Sequence, residues 1–459
     1  MALALLVAAF SGWIFLPVPG LTASIPPPDR APALNGLPWL STRGNEIVDS
    51  AGRAVMLRGF NTNTLLEPTV WPAPLDTTDA TLMQQSGFDV VRLPIAWSLL
   101  EPHRGHYDAS YLDRITAVVT LLNEHGLYVV LDMHFLGWSP VYGGSGAPAW
   151  ATVSQVPDPV WGPMPSLGRF LSPAINVSTA NFWLSSPLQQ DFIDAWSVVA
   201  ERFREDSGVA GYDLINEPHS FPLPPLLFDK DQLFPFYARA VSRLGATDPN
   251  HLFFLDNDMT GDLPTAAVPL SAPNIVYAPH VYTGSLIPPL FSGDPAPLRD
   301  HIAELVSEAR TLPAPVWFGE FSIDVHGQLA PQWINDILGD FDQQEAGWAW
   351  WQWRESSGYG VRSADASTID RELLDLLDRP YVIALPMGVS RDDAIPSDVH
   401  LRVRAVHDAS PIEVAWPGTV LGKPNVRSDC GARFSWKGDT ARLILTPPVA
   451  GACSIDVTT

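Results

Sequence analysis

The sequence predicts an α/β fold, a (β/α)8 TIM barrel followed by an antiparallel β-sandwich, and three observations support this. Short apolar runs alternate with amphipathic stretches from about Ile47 to Asp378. There are eight such runs, and eight strands joined by helical crossovers are typical of a closed parallel barrel. Beyond Asp378 the helical period disappears, and short alternating runs separated by Pro, Gly and Asp replace it. Counting strands leaves an open α/β sheet as the alternative.

Aliphatic, β-branched and aromatic residues dominate the eight predicted barrel strands. These strands are Ala54–Gly59, Val90–Leu93, Leu127–Asp132, Val209–Ile215, Leu252–Leu255, Ile275–Tyr277, Val316–Phe318 and Trp348–Trp351. Apolar residues near i, i+3, i+4 and i+7 predict helices at Tyr111–Glu124, Leu188–Arg204, Asp231–Leu244 and Leu298–Arg310. The second helix has a recognisable start, since Ser186 can cap it and Pro187 is favoured in a first turn.

The predicted domains are a barrel over residues 25–380 and a sandwich over residues 381–459, with the boundary between Asp378 and Pro386. The sandwich strands are predicted at Val399–Val406, Ile412–Ala415, Ala432–Trp436 and Ala441–Leu445. The two cysteines of the chain, Cys430 and Cys453, both lie in this region. In an exported protein an even, local pair predicts one disulfide, and two buried free thiols are the alternative.

Composition limits the class of protein and its partners. The 459 residues carry a net charge of −23, so the surface repels nucleic acid and anionic lipid head groups. Residues 1–24 are typical of a targeting segment, because Ala2–Leu16 is uncharged and mostly apolar and cleavage after Ala23 would release it. No Lys or Arg precedes Arg30, so a retained anchor is the alternative. Either form predicts export, and a monomer is the default expectation.

The strongest chemical signal is Asn216-Glu217-Pro218, which follows an apolar strand. In a barrel, functional side chains collect at the C-terminal ends of the strands. A carboxylic acid there can protonate a leaving glycosidic oxygen, and the neighbouring amide can bind the sugar 2-hydroxyl. Pro218 disfavours helix at Glu217, so we expect extended backbone at that residue.

A second carboxylate, Glu320, ends another apolar strand after Gly319, which we expect to leave room for a substrate. Two carboxyls across one barrel mouth are what retaining glycoside hydrolysis needs. Glu320 would attack the anomeric carbon, and Glu217 would act first as acid and then as base. For this division of roles we expect a separation of about 5–5.5 Å. The alternative, that either residue is a surface loop position, is disfavoured because both follow predicted strands.

Other residues at the same strand ends complete a predicted sugar site. Arg92 could keep Glu320 ionised, His134 could bind a sugar hydroxyl, and Tyr282, beside His280, could orient the nucleophile. Four tryptophans crowd the eighth strand. We expect Trp351 to form the floor of the sugar subsite and the others to pack in the core. The alternative for each of these residues is a structural role.

These residues together resemble glycoside hydrolase family 5, and longer stretches resemble its endoglycoceramidases. The stretches are Arg58–Asn61, Val91–Leu93 with Trp97-Ser98 and Glu101-Pro102, Gly105–Asp108, Leu131–His134, Gly146–Ala151, Gly211–Pro218 and Tyr277–Tyr282. The resemblance runs from about Leu40 to the C terminus, because that group also carries a C-terminal β-sandwich. It implies cleavage of the β-linkage between an oligosaccharide and ceramide, with no metal or organic cofactor.

The sequence departs from the endoglycoceramidase pattern after His134. Those enzymes usually continue with Gln-Asp, whereas this chain continues with Phe135-Leu136-Gly137-Trp138. A site that lacks a hydrogen-bonding group can lose its preferred sugar by orders of magnitude in rate. The glycan preference is therefore not implied, and a galactosyl lipid, a simpler glucosyl lipid or a sterol glycoside stays open.

Two apolar, proline-rich insertions, Val156–Leu171 and Phe221–Phe234, favour a lipid-linked substrate. At the barrel mouth the second could line a groove for acyl chains or contact a membrane or micelle surface, and packing against its own core is the alternative. The predicted activity is therefore cleavage of a glycolipid. The other enzymatic hypothesis is a β-glucosidase or endoglucanase acting on a sterol glycoside or a soluble glycan. A catalytically silent sugar-binding protein is disfavoured by the presence of both Glu217 and Glu320.

Overall fold

The computed structural model describes residues 36–459, apart from residues 71–72, 154, 157–171, 220–222, 260–266, 287–288, 396–397, 404–409 and 449–451. The predicted targeting segment and nearly all of the insertion Val156–Leu171 therefore lie outside the described residues. Within the described part of the chain, no helix is both long enough and apolar enough to cross a membrane.

The chain begins with an antiparallel meander of three short strands, β1 (Leu40–Arg43), β2 (Glu46–Asp49) and β3 (Ala54–Val55). The sequence prediction placed Ala54–Gly59 in the barrel as one strand. That prediction is wrong at its start, because Ala54 and Val55 pair with β2 and with a strand of the C-terminal region. Only the residues from Arg58 onward enter the barrel.

A parallel barrel follows, which confirms the predicted fold class. Its strands are β4 (Arg58–Asn61), β5 (Val90–Ile95), β6 (Tyr128–Met133), β7 (Val209–Asp213), β8 (Leu252–Leu255), β9 (Ile275–Tyr277), β10 (His280–Val281), β11 (Trp317–Phe321) and β12 (Gly347–Trp350). β9 and β10 are two parts of one strand position, since Tyr277 bridges to Val316 and His280 pairs with Glu320. β12 pairs in parallel with β4 and closes the ring.

Helices surround the barrel. They are α1 (Thr77–Gln85), α2 (Trp97–Leu100), α3 (Ala109–Glu124), α4 (Pro173–Leu184), α5 (Ser186–Phe203), α6 (Pro225–Phe228), α7 (Phe234–Thr247), α8 (Ala296–Thr311), α9 (Ala330–Gln343) and α10 (Arg371–Leu377). Short 3-10 turns lie at Pro68–Val70, Pro140–Tyr142 and Ala149–Ala151. α5 is capped by Ser185, one residue before the predicted cap, because Ser186 is already helical. α7 begins at Phe234, later than predicted, because Asp229–Leu233 forms a π-helical turn.

The C-terminal region is two antiparallel sheets packed face to face. Its elements are β13 (Tyr381–Leu385), β14 (Val389–Ile395), β15 (Asp398–Val403), β16 (Ile412–Ala415), α11 (Gly418–Leu421), β17 (Asn425–Ser428), β18 (Arg433–Lys437), β19 (Arg442–Thr446) and β20 (Cys453–Thr458). One sheet has the order β1-β2-β3-β13-β16-β19-β18 and the other the order β14-β15-β20-β17. A division at residue 380 therefore does not separate all sandwich strands from the barrel. Cys430 and Cys453 are joined in a disulfide, with their Cα atoms 5.4 Å apart.

The sandwich lies against the N-terminal end of the barrel strands. Arg442 donates hydrogen bonds to the carbonyl oxygens of Gly87 (3.0 Å) and Phe88 (3.3 Å), which come just before β5. Leu37, Leu40 and Ile47 belong to the same apolar cluster as the inward-facing barrel residues, and they close this end. The sandwich does not cover the opposite end, where the C termini of the barrel strands lie, so a site can form there.

Candidate active site

A cavity of about 1400 Å³ opens at the C-terminal ends of the barrel strands. Six of the eight residues that the sequence predicts for catalysis and sugar binding line it: His134, Asn216, Glu217, Tyr282, Glu320 and Trp351. Arg92 and His280 lie directly behind them and contact them. The structure thus brings all eight residues together, from strand ends that are far apart in sequence.

Arg92 is fully buried and organises the floor of the cavity. Its Nε donates to Asp213 at 2.8 Å, and one Nη atom lies 3.1 Å from Asp132. The same guanidinium donates to the amide oxygen of Asn216 at 3.0 Å. Glu320 is a more distant partner, at 3.9 Å. The other Nη atom of Arg92 donates to the amide oxygen of Asn61 at 3.1 Å. Because a buried guanidinium needs charged or hydrogen-bonded partners, Arg92 acts mainly to fix these four neighbouring side chains.

Glu217 has an unusual backbone conformation. Its φ is +43°, in the left-handed region, so the expectation of extended backbone is wrong. Pro218 excludes the right-handed helix, but the chain turns rather than continuing the line of β7. The backbone N–H of Glu217 donates to Asp256 at 2.8 Å, and one carboxylate oxygen lies 3.2 Å from Nδ1 of His280.

Glu320 lies next to Glu217 in the wall of the cavity. One carboxylate oxygen of each residue and one ring nitrogen of His280 all lie within 4.8 Å of one another. The expectation that Gly319 makes room for a substrate is wrong. A Cβ at this position would lie 3.2 Å from the carbonyl oxygen of Ala278 and 3.3 Å from the His280 ring, so glycine makes room for the neighbouring strand.

The charges of this cluster are strongly coupled. Burial raises the pKa of Glu320 well above its usual range; Arg92 opposes the shift and the charge of Glu217 adds to it. Burial also acts to raise the pKa of Glu217, but the hydrogen bond with His280, together with the positive charge of Arg92, outweighs it and lowers that pKa. Burial lowers the pKa of His280 to about 4, so its ring is neutral at neutral pH. Two carboxyls this close titrate as a pair and share one proton over an intermediate range of pH.

Trp351 and His134 form one wall of the cavity. Their rings stack with centroids 5.3 Å apart and planes 8° apart, and His134 Nδ1 lies 2.8 Å from Asp132. The other three tryptophans of this region, Trp348, Trp350 and Trp353, are at most 1% exposed. Trp351 is therefore the tryptophan of this strand that can offer its face to a sugar.

The segment after His134 contributes less to the cavity than its sequence suggested. Phe135 packs into the core, with its ring centroid 5.2 Å from that of Trp138 and 5.8 Å from that of Phe192. Leu136 lines the cavity. The carbonyl oxygen of Phe135 accepts a hydrogen bond from the amide of Asn216 at 2.9 Å. Of the segment Phe135–Trp138, Leu136 is the residue that lines the main cavity, and all four residues line a smaller pocket of about 80 Å³ that Glu217 also lines.

Four polar residues of the site were not singled out from the sequence. Asp132, Asp213 and Asn61 bind Arg92, and Asp256 accepts the N–H of Glu217. Burial raises the pKa of Asp256 well above its usual range, and the nearby Asp213 adds to the shift. Asn61 and Asp213 end barrel strands, Asp256 directly follows one and Asp132 is the next-to-last residue of β6, and this position is the signal that could have identified them.

Two groups of His, Cys, Asp or Glu side chains within the described residues are close enough to hold a metal ion. One is Glu217, His280 and Glu320. The other joins Asp429 to Cys430 and Cys453, whose sulfurs are committed to the disulfide. The expectation that the site works without a metal stays a prediction.

Comparison with known proteins gives a family and several relatives. The family model described as Cellulase (glycosyl hydrolase family 5) matches residues 48–357. Endoglycoceramidase I of Rhodococcus hoagii is 28% identical over 345 residues, which are 68% of this chain and 67% of that protein.

Solved structures extend the likeness to the sandwich. Endo-glycoceramidase II from Rhodococcus sp., in a complex with ganglioside GM3, matches with a TM-score of 0.80 and 26% identity over 91% of this chain and 99% of that chain. An endogalactoceramidase matches with a TM-score of 0.76 and 27% identity over 92% of this chain and 100% of that chain. Both alignments cover more of this chain than the barrel alone.

Proposed function

Because this chain belongs to glycosyl hydrolase family 5 and is a glycoside hydrolase, we propose that it is a retaining β-glycosidase that cleaves the bond between the glycan and the lipid of a glycolipid. The observation that carries the proposal is the pair Glu217 and Glu320, whose carboxylate oxygens approach within 4.8 Å at one side of a largely apolar cavity. Carboxyls about 5–5.5 Å apart favour retention, whereas inverting enzymes keep them about 6.5–9.5 Å apart.

The proposed reaction has two steps. Glu320 attacks the anomeric carbon and forms a covalent glycosyl ester, while Glu217 donates a proton to the departing lipid oxygen. Glu217 then takes a proton from water, which attacks the same carbon and releases the glycan. Asn216, held by Arg92 and the Phe135 carbonyl, is placed to bind the sugar 2-hydroxyl. Trp351 supplies the surface under the sugar ring.

The first step requires the shared proton to lie on Glu217. Without a substrate the proton is favoured on Glu320, because burial raises the pKa of that carboxyl well above its usual range. A sugar bound over Glu320 brings an electron-deficient anomeric carbon to that carboxylate, which stabilises its ionised form. The leaving oxygen meanwhile offers Glu217 a hydrogen-bond acceptor. We therefore infer that substrate binding moves the proton of the pair.

The lipid part of the proposal rests on the walls of the cavity and its surroundings. Leu286, Pro289, Leu290 and Phe291 line the side that follows β10, and Met259 lies near Glu217. Leu290 is 64% exposed, and on α6 Leu226 and Leu227 are 49% and 50% exposed. These leucines are exposed to water at the end of the barrel that contains the site. Such exposed apolar side chains favour contact with acyl chains or a micelle surface.

The test is hydrolysis of matched β-glucosides of ceramide, of a sterol and of a soluble oligosaccharide in detergent micelles. We expect the ceramide glycoside to react fastest, with intact lipid and free sugar released together and the first-formed sugar as the β-anomer. Glu320→Gln should reduce the rate by at least about a thousandfold with an unchanged melting temperature. A first-formed α-anomer would refute retention, and equal rates on the soluble glycoside would favour a soluble glycan as substrate.

We also infer that the enzyme is exported. The disulfide between Cys430 and Cys453 is the kind of bond that forms and persists in oxidising compartments. The predicted targeting segment at residues 1–24 supports the same location, and so does a lipid substrate reached from a membrane or micelle surface.

A further inference from the structure

The two ends of the cavity differ in chemistry, and the catalytic pair fixes which end takes the sugar. The leaving lipid must lie on the side of Glu217, which protonates it, and therefore near Met259 and the apolar wall after β10. The glycan must then extend the other way, across Trp351. The wall beyond Trp351 is the segment that follows β12, together with Asn63 after β4. This orientation rests on the proposed function.

Two oxygen atoms in the segment after β12 have no hydrogen-bond partner among the described residues. They are Oε1 of Gln352, a side chain only 3% exposed, and Oε2 of Glu355. Both residues line the cavity. The other carboxylate oxygen of Glu355 accepts a hydrogen bond from Ser357. Buried acceptors are rarely left unpaired, and these two oxygens are placed to accept hydrogen bonds from the hydroxyl groups of a ligand in the cavity.

The segment between Gln352 and Arg362 is held rigidly from behind. Asp79 on α1 accepts hydrogen bonds from Trp353 Nε1 (2.9 Å), Arg354 Nε (3.1 Å) and Arg362 Nη1 (2.6 Å). At the tip, the N–H of Val325 donates to the carbonyl oxygen of Gly358 at 2.9 Å. The oxygens of Gln352 and Glu355 therefore have fixed positions before a ligand arrives, which lowers the entropic cost of binding.

The charge at this end of the cavity is negative. Arg354 and Arg362 are neutralised by Asp76 and Asp79, with Arg354 2.8 Å from Asp76 and 2.5 Å from Asp79. Among the described residues Glu355 therefore has no cationic partner; burial raises the pKa of its carboxyl, and the charge of Asp324 adds to that shift. Neutral hydroxyls can donate to such a wall, whereas a carboxylate on the ligand would meet repulsion that the low local dielectric strengthens.

We propose that Gln352 and Glu355 form a second-sugar subsite that binds the hydroxyl groups of a neutral sugar and rejects a sugar that carries a carboxylate. The enzyme would therefore act on glycolipids whose second sugar is uncharged, and a glycolipid with a uronic acid at that position would be a poor substrate.

The test uses two disaccharides that differ in one group, cellobiose and β-glucuronosyl-(1→4)-glucose, titrated calorimetrically into the full-length Glu320→Gln protein. We expect cellobiose to bind at least about tenfold more tightly, as one unscreened charge repulsion implies. Adding Glu355→Gln, which keeps the acceptor and removes the charge, should bring the two affinities within about twofold by strengthening the binding of the acid. Adding Gln352→Ala should weaken both by about fivefold, through one lost hydrogen bond.

Glu304→Gln is the matched control, because Glu304 lines the same cavity on the lipid side and is exposed. It should leave the ratio of the two affinities unchanged. Equal binding of the two disaccharides, or a ratio that Glu355→Gln does not change, would overturn the subsite. So would failure of both disaccharides to bind to a protein whose parent hydrolyses glycolipids. Selective binding without any glycolipid hydrolysis would instead refute the proposed function and leave the subsite standing.

Discussion

Glu217 is positioned through its main chain as well as through its carboxylate. A non-glycine residue with φ of +43° stores strain of about 1–3 kcal/mol, and here Asp256 stabilises it by accepting the N–H at 2.8 Å. The turn leaves the carboxylate near both His280 and Glu320. The residue that must exchange a proton twice per turnover is thus held on a backbone with little freedom to move.

The acid role of Glu217 predicts a dependence on the leaving group. In Glu217→Gln, hydrolysis of a natural lipid glycoside should fall by at least about a thousandfold, because the alkoxide cannot leave unprotonated. The burst of phenol from a dinitrophenyl β-glycoside, which leaves without a proton, should fall far less. In the wild type, the rate on the natural glycoside should decline at high pH, where Glu217 is ionised, whereas the burst rate on the dinitrophenyl glycoside should not. Stopped-flow measurement of both substrates across pH checks this, and a parallel loss on both would contradict the assignment.

At the scale of elements, the sandwich depends on a cross-link near the C terminus. The disulfide ties Cys453, the first residue of β20, to the turn between β17 and β18 and closes a loop of 23 residues. A loop of that length stabilises the folded state by about 3 kcal/mol through the entropy of the unfolded chain. Replacing both cysteines by serine should lower the melting temperature of the sandwich and leave kcat on a soluble aryl glycoside nearly unchanged, because the bond lies on the far side of the barrel. A marked loss of kcat in the double-serine variant, at temperatures where that variant is still folded, would contradict this.

The sequence identified site residues most readily where a reactive side chain lies at the end of a predicted strand. Glu217 and Glu320 could be found because each follows an apolar run, and strand ends meet in a barrel. The φ of Glu217 and the role of Asp256 could not be found, since both depend on contacts between strands distant in sequence. The pairing of β3 with β13 was invisible for the same reason, because it joins Val55 to Ala384. The hydrophobic periodicity of a segment does not indicate which distant strand it pairs with.

At the scale of the whole molecule, the junction of barrel and sandwich contains a carboxyl with a strongly displaced pKa. Asp89 lies beside a cavity of about 260 Å³ that is also lined by Arg53, Glu413 and Arg442. It accepts the N–H of Arg58 at 2.7 Å. Burial raises its pKa from 3.8 to about 7, although Arg442 opposes the shift. The site is remote from the catalytic cavity, so its protonation concerns how the two parts of the molecule hold together.

This displacement predicts that the protein is more stable in mild acid than in mild alkali. The folded state binds the proton of Asp89 more tightly than the unfolded state, whose carboxyl has a pKa near 3.8. The contribution is complete below pH 3.8 and is lost as pH rises through about 7. It amounts to at most about 4 kcal/mol. Asp89→Asn keeps an acceptor for the N–H of Arg58 and cannot ionise, so it should melt at a higher temperature than the wild type at pH 8. The difference should shrink toward pH 5, and melting curves for the two proteins that stay parallel from pH 5 to 8 would show that Asp89 does not ionise in this range.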